Sequence, residues 1–233
     1  MGPSSLASWV LLIAQTLRRY GADVDAVFRA AHAAQAQLHE PTSRYPLAAV
    51  RRLWTVASHA SQDPCFGLEV GRSWHVTSFH ALGYAALASA TLREALARVA
   101  RYCRVVTTGV HVELVEDGRH TTVQLTSTLV GESEPEALAP AAQAGLAALT
   151  TLCREARGAP LDPKRVLLVQ QDKACAARLN AFFHCPVRFG ASSNALVFAA
   201  VIVLITAADI PGVSQLRTSH QALVDLQERL KTP

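Results

Sequence analysis

Charge is scarce in this chain of 233 residues: Asp, Glu, Lys and Arg make up only 17%, whereas 50% of the residues are hydrophobic. That balance excludes an intrinsically disordered chain, whose low hydrophobicity leaves too little apolar surface to bury. Basic residues exceed acidic ones by only four, 22 against 18. The pI near 9.0 tolerates a polyanionic partner, but no stretch gathers the charge into the Lys/Arg stripe of a protein that grips phosphates by itself. Long apolar runs are also lacking. The most apolar one, Ala195 to Ile205, breaks at Thr206 and falls well short of the roughly 18 to 20 residues that cross a bilayer. It reads as buried, and no membrane association is expected. The opening Met1-Gly2-Pro3-Ser4-Ser5 carries no charged n-region, so no export signal is expected.

Cysteine is sparse and irregular. The five residues, Cys65, Cys103, Cys153, Cys175 and Cys185, are odd in number and include no Cys-x-x-Cys. Neither a disulfide framework nor a zinc cluster is expected, and a reducing cytoplasm is the expected location. Enzyme signatures are missing as well. There is no phosphate-binding Gly-x-x-x-x-Gly-Lys loop, no Gly-x-Gly-x-x-Gly, no His-Glu-x-x-His and no Gly-x-Ser-x-Gly. His75 and His80 are five apart, a poor helical spacing for joint metal ligation. His184-Cys185 sets a base beside a thiol, but sequence neighbours point in different directions, and an inert buried cysteine is the commoner case.

What the chain does have is periodicity. Trp9, Leu12, Ile13, Thr16, Leu17 and Tyr20 recur with helical spacing ahead of Gly21. A second helix is expected from about Asp23, burying Val24, Val27 and Phe28. A third opens at Tyr45-Pro46, with Leu47, Val50, Trp54 and Ala57 on one face, and stops before Asp63-Pro64. Leu82, Gly83, Ala86 and Leu87 repeat the spacing after Phe79. Thr91-x-x-Glu94 is a capping box for a helix that turns Leu92, Ala95, Leu96, Val99, Tyr102 or Cys103, and Val106 inward. Arg93, Arg98, Arg101 and Arg104 lie on or near its other side and read as a solvated face in preference to a phosphate patch.

From residue 109 the pattern alternates. Val110, Val112 and Leu114, the turn Asp117-Gly118, then Val123, Leu125, Ser127 and Leu129 read as a hairpin. Ser133-x-x-Glu136 is a second capping box before a long Ala/Leu helix that ends near Gly158. Val166 to Val169 reads as a strand and Lys173 to Phe183 as a helix capped by Asp172. Pro186 to Phe189 and Leu196 to Val203 supply closing strand material. Several helices followed by β-β-α-β-α-β predict an α+β fold with a mostly antiparallel sheet of four to five strands. A final amphipathic segment spans about Val213 to Leu230. The expected organisation is a sensing domain over 1–212 and a helix or linker over 213–233.

Only 6% of the chain is Phe, Trp or Tyr, yet rings crowd into Trp74-His75-Val76-Thr77-Ser78-Phe79-His80-Ala81-Leu82-Gly83-Tyr84. Small-molecule pockets use this mixture of apolar walls and a few oriented polar groups. Ordinary core packing uses it too. Trp74, His75, Phe79, His80 and Tyr84 are the candidate ligand-binding residues.

Phe79 to Ala85, then Ala88 to Leu96, then Arg101-Tyr102 resemble the effector-binding N-terminal domain of AraC-type transcriptional regulators, in the subgroup whose sensor is α+β rather than a cupin barrel. Asp63-Pro64 with Gly67-Leu68 and Gly71 is similar to the segment ahead of the aromatic cluster, and Pro186-Val187-x-Phe189 with Asn194-x-Leu196-x-Phe198 to the late strand signature. The resemblance covers about residues 9 to 212 and adds Tyr102 to the candidate residues. One departure is Val201 to Thr206, which has neither the Asp nor the Pro of the family's usual turn. The resemblance implies a cytoplasmic, homodimeric bacterial sensor without cofactor, metal or catalysis, reaching DNA only through a helix-turn-helix domain beyond Pro233. The expected effector is small and apolar, aromatic or fatty-acid-like, its carboxylate held if Arg51 or Arg104 faces inward. Two rival readings are an effector-independent dimerisation or inhibitory module, and a small hydrolase or transferase relying on a low-pKa thiol.

Overall fold

The computed structural model describes residues 2–40, 42–128, 135–157 and 161–200. The amphipathic stripe near the start becomes α1 (Ala7–Arg19), which buries Val10, Ile13, Ala14 and Leu17. Asp23 caps α2 (Val24–Ala30) by accepting from the Ala26 N–H at 3.0 Å, the usual way to satisfy a first-turn donor. Next come α3 (Leu47–Ser61), α4 (Phe66–Arg72), α5 (Ala81–Leu87) and α6 (Leu92–Val106). The Thr91 box forms as expected at one end: Glu94 N–H donates to Thr91 Oγ1 at 3.1 Å, while the Glu94 carboxylate accepts from Ala90 N–H at 2.8 Å. Two strands missed in the sequence, β1 (Ser4–Leu6) and β2 (Arg44–Pro46), pair antiparallel at the base of the helices. Three residues are too few to display an alternating pattern.

The hairpin is β3 (Val110–Glu116) and β4 (His120–Ser127), with Val112 opposite Leu125 and Leu114 opposite Val123. Asp117 closes its turn by accepting from the Arg119 and His120 N–H groups. Then follow α7 (Ala139–Arg157), β5 (Arg165–Leu167), α8 (Ala176–Phe183), β6 (Val187–Arg188) and β7 (Asn194–Ala199). The sheet order is β3-β4-β7-β5-β6, antiparallel except for the β5–β6 pair. The α+β architecture and the five-stranded, mostly antiparallel sheet match the sequence expectation. The expected helix from Lys173 starts instead at Ala176. Asp172 spends its carboxylate on the Ala174 N–H at 2.9 Å, closing a turn rather than capping a helix. The Ser133 box, Leu129, Gly158, the strand material after Ala200 and the 213–230 segment lie outside the described residues.

The long helix α7 is the hinge of the packing. On one side it meets α4, where Gly67 and Gly71 let the two backbones touch: a Cβ on Gly67 would lie 2.2 Å from the Pro140 carbonyl oxygen, and one on Gly71 2.5 Å from that of Ala144. On the other side Gly145 abuts the Leu125 side chain in the sheet.

The expectation of unpaired cysteines is corrected: Cys65 and Cys175 form a disulfide with their Cα atoms 5.2 Å apart. Their sequence separation of 110 residues hides the pairing from any spacing rule, because only the packing of α4 beside α8 brings them together. The same junction holds Arg178, which donates to both Asp63 carboxylate oxygens at 2.9 and 2.8 Å and to Glu69 at 2.6 Å. Burial alone would raise the Asp63 pKa, but the Tyr20 hydroxyl, the Cys65 N–H and Arg178 outweigh it and hold the carboxyl below its ordinary value. A folded pKa below the unfolded one contributes stability that is complete above the unfolded value and is lost as pH falls through the folded value. Resistance to urea is therefore expected to fall below about pH 4. Arg178→Gln should flatten that decline, and an equally steep decline in the variant would contradict the assignment.

Candidate functional site

The aromatic segment folds as a tight loop around a single 3-10 turn, Val76–Phe79, between the end of α4 and the start of α5. Trp74 follows the last turn of α4, its N–H donating to the Gly71 carbonyl at 3.1 Å. Its side chain is 1% exposed. Phe79 stacks edge-on against it at 5.0 Å between ring centroids, and Trp9 of α1 lies 5.9 Å from Phe79 on the other side. Ser8 ties the same turn to α1 by donating from its hydroxyl to the Ser78 carbonyl at 2.7 Å. The sequence pattern treated Trp9 only as a helix-face residue, and nothing local could have joined it to Phe79.

His80 enters α5 with φ of 49° and ψ of −133°, a sparsely populated conformation for a residue with a Cβ and one that stores on the order of 1–3 kcal/mol of strain. The close approach of α5 to the 3-10 turn imposes it: a Cβ on Gly83 would lie 2.1 Å from the Val76 carbonyl oxygen. Two polar atoms of this loop, Trp74 Nε1 and His80 Nε2, are buried without a hydrogen-bond partner among the described residues. A buried indole N–H can only donate, and leaving such a group unmatched costs about 1–3 kcal/mol. Chemically, the loop gathers apolar rings and two unmatched polar atoms, of which the indole N–H can only donate.

The other candidates sit elsewhere. His75 is exposed; its N–H donates to Ser78 Oγ at 3.3 Å and its carbonyl accepts from the Ser78 N–H at 2.8 Å. Tyr84 is 56% exposed and Tyr102 47% exposed. Helical period explains both. Tyr84 lies across α5 from Leu82 and Ala86, which are buried, and on α6 it is Cys103 rather than Tyr102 that turns toward the core. Arg101 lies 5.4 Å over the Tyr102 ring. Arg93 and Arg98 are taken up by Glu116 and Glu94, as suits a solvated face, and Arg104 is exposed, so it does not point an inward charge at a carboxylate. Sequence reasoning also missed a buried amide pair, in which Gln143 Nε2 on α7 donates to Gln170 Oε1 at 3.0 Å. Glutamine inside an Ala-rich helix was the available signal.

Nucleophilic chemistry finds no support in the unpaired thiols. Burial pushes Cys103 and Cys185 up to about 11 and Cys153 up to about 12, so none is a ready thiolate. His184 does not serve Cys185; its Nδ1 lies 3.1 Å from Asp162. Among the described residues no group of three or more His, Cys, Asp and Glu is placed to hold a metal ion, and no helix is long and apolar enough to cross a membrane.

A family model described as the arabinose-binding domain of AraC transcription regulators, N-terminal, matches residues 21–203. An ornithine utilization regulator from Pseudomonas aeruginosa is 30% identical over 171 residues, which are 73% of this chain and 49% of that protein. The crystal structure of the transcriptional regulator CdpR, also from Pseudomonas aeruginosa, superposes with a TM-score of 0.57 over 78% of this chain and 55% of that one, at 13% identity. That likeness concerns the fold alone. The chain spans about half the length of each of these regulators.

Proposed function

Because the chain belongs to the family of arabinose-binding N-terminal domains of AraC transcription regulators, we propose that it is the ligand-sensing part of a bacterial regulator. It acts without catalysis, as a homodimer in the cytoplasm, and reaches DNA through a helix-turn-helix domain that follows it in the whole protein. The observation that carries the effector reading is the buried, unmatched Trp74 Nε1 in the Trp9–Phe79–Trp74 ring cluster, with His80 Nε2 likewise buried and unmatched on the same loop. The effector is an apolar or aromatic molecule with a hydrogen-bond acceptor such as a carboxylate or carbonyl. An amino acid with two ammonium groups, which the name of the ornithine utilization regulator brings to mind, fits less well. The unmatched Trp74 Nε1 can only donate, so it can hold an acceptor but offers an ammonium group nothing.

A guest switches a regulator only by binding one arrangement better than another, and coupling of about 1–3 kcal/mol is typical. Here the loop holding Trp74 continues from α4, which rests backbone to backbone on α7, so a shift of the loop is passed to α7 and the sheet beneath it. The test is calorimetric titration and thermal shift with aromatic acids, long-chain fatty acids and ornithine. Trp74→Phe keeps a ring but deletes the donor. It is expected to weaken binding about tenfold, the worth of one hydrogen bond, while folding stays intact. A panel that binds nowhere, or a variant that binds like the wild type, overturns the proposal. Exposed Tyr102 and Val105 on α6 favour the second reading, an effector-independent dimerisation module, for which light scattering would show a dimer and no ligand would shift stability.

A further inference from the structure

The disulfide between Cys65 and Cys175 bridges the starts of α4 and α8 across a sequence separation of 110 residues. Cys65 stands at the N-cap of α4 and Cys175 at the N-cap of α8, neither position having a side-chain cap hydrogen bond. Both residues are 2% exposed. The bond therefore ties the helical half to the half that carries the sheet, and it does so beside the Arg178 cluster on Asp63 and Glu69. Helix α8 is short: Leu179 and Phe183 are buried in the core and Phe182 packs against it. The ion pairs fasten its first turn to Asp63 and Glu69, and the Arg178 side chain is 46% exposed, open to solvent.

We propose that Cys65–Cys175 is a reversible thiol–disulfide site, exchanging with a small dithiol or thiol couple such as glutathione, and that the Arg178 clamp on α8 controls access to it. The exchange balances. An external thiolate attacks one sulfur and forms a mixed disulfide, a second external thiolate displaces the protein sulfur, and the two external thiols leave as one disulfide. Cys65 and Cys175 have then gained two electrons and two protons. The other thiols are held protonated by burial and compete poorly. The regulator reading enters only through the compartment: where thiols are kept reduced, a disulfide is ordinarily a transient or sensing one. The chemistry is tested on the purified chain, separately from effector binding.

The experiment equilibrates the chain in glutathione buffers of graded ratio and traps free thiols with a mass-tagged maleimide. Two thiols beyond Cys103, Cys153 and Cys185 are expected to titrate together within the range, with faster amide hydrogen exchange in α8 on reduction. Arg178→Gln should be reduced by dithiothreitol several-fold faster than the wild type. A pair that stays bonded at every ratio is a fixed crosslink and overturns the proposal, as does a pair that is never bonded. Equal reduction rates in wild type and Arg178→Gln overturn the gating role of the clamp.

Discussion

Gly67→Ala is expected to destabilise the fold by about 3 kcal/mol or more, within the upper range for overpacking in a core, read as a fall in the urea midpoint. The added methyl would sit 2.2 Å from the Pro140 carbonyl oxygen and 2.6 Å from its Cα. Both are backbone atoms, so no side chain can swing aside and the helices α4 and α7 must separate along their contact. Gly145→Ala on the opposite side of α7 is the control. Its methyl would meet only the end of the Leu125 side chain, at 2.9 Å, and the gain of about 1 kcal/mol in helix propensity offsets the adjustment. A near-neutral Gly67→Ala would mean that the two helices are not in backbone contact.

Trp74→Ala is expected to cost about 3–5 kcal/mol, the range for removing a large buried aromatic, because the indole is 1% exposed and packs edge-on against Phe79. Tyr84→Ala, from the same sequence cluster, should change stability by no more than about 0.5 kcal/mol, as for ordinary surface substitutions, since Tyr84 is 56% exposed. Paired thermal or urea unfolding of the two variants checks both numbers. Comparable losses would mean that Tyr84 is covered, and a small loss at Trp74 would mean that it is not core. The contrast shows why Trp74→Phe rather than Trp74→Ala is the informative variant for effector binding: alanine removes wall and donor together.

The aromatic cluster illustrates how far local pattern reaches. Composition marked residues 74 to 84 as unusual, and Trp74, Phe79 and His80 do come together on one loop. Yet the ring density could not distinguish Trp74, turned inward at the end of α4, from Tyr84, turned outward on α5. Spacing from the neighbouring buried residues Leu82 and Ala86 was the signal that would have separated them. For Tyr102 the choice against Cys103 was visible as an ambiguity, and packing of α6 resolved it toward cysteine. Trp9 and the Cys65–Cys175 bond carried no local cue at all, and Gln143 only its oddity in an Ala-rich helix, since each acquires its role from a partner far away in the chain.

Determined by sequence alone were the features set within a few residues. The stripes of α1, α3 and α6, the helix start near Asp23, the Thr91 cap, the Asp117-Gly118 turn and the change of period near residue 109 each follow from hydrogen bonds and side-chain spacing that a short window contains. The tertiary structure decided the strand order β3-β4-β7-β5-β6, the contact of α4 with α7 at Gly67 and Gly71, the burial of Trp74 and the joining of Cys65 to Cys175. These are agreements between surfaces that the chain brings together only on folding, and neither surface encodes its partner's address.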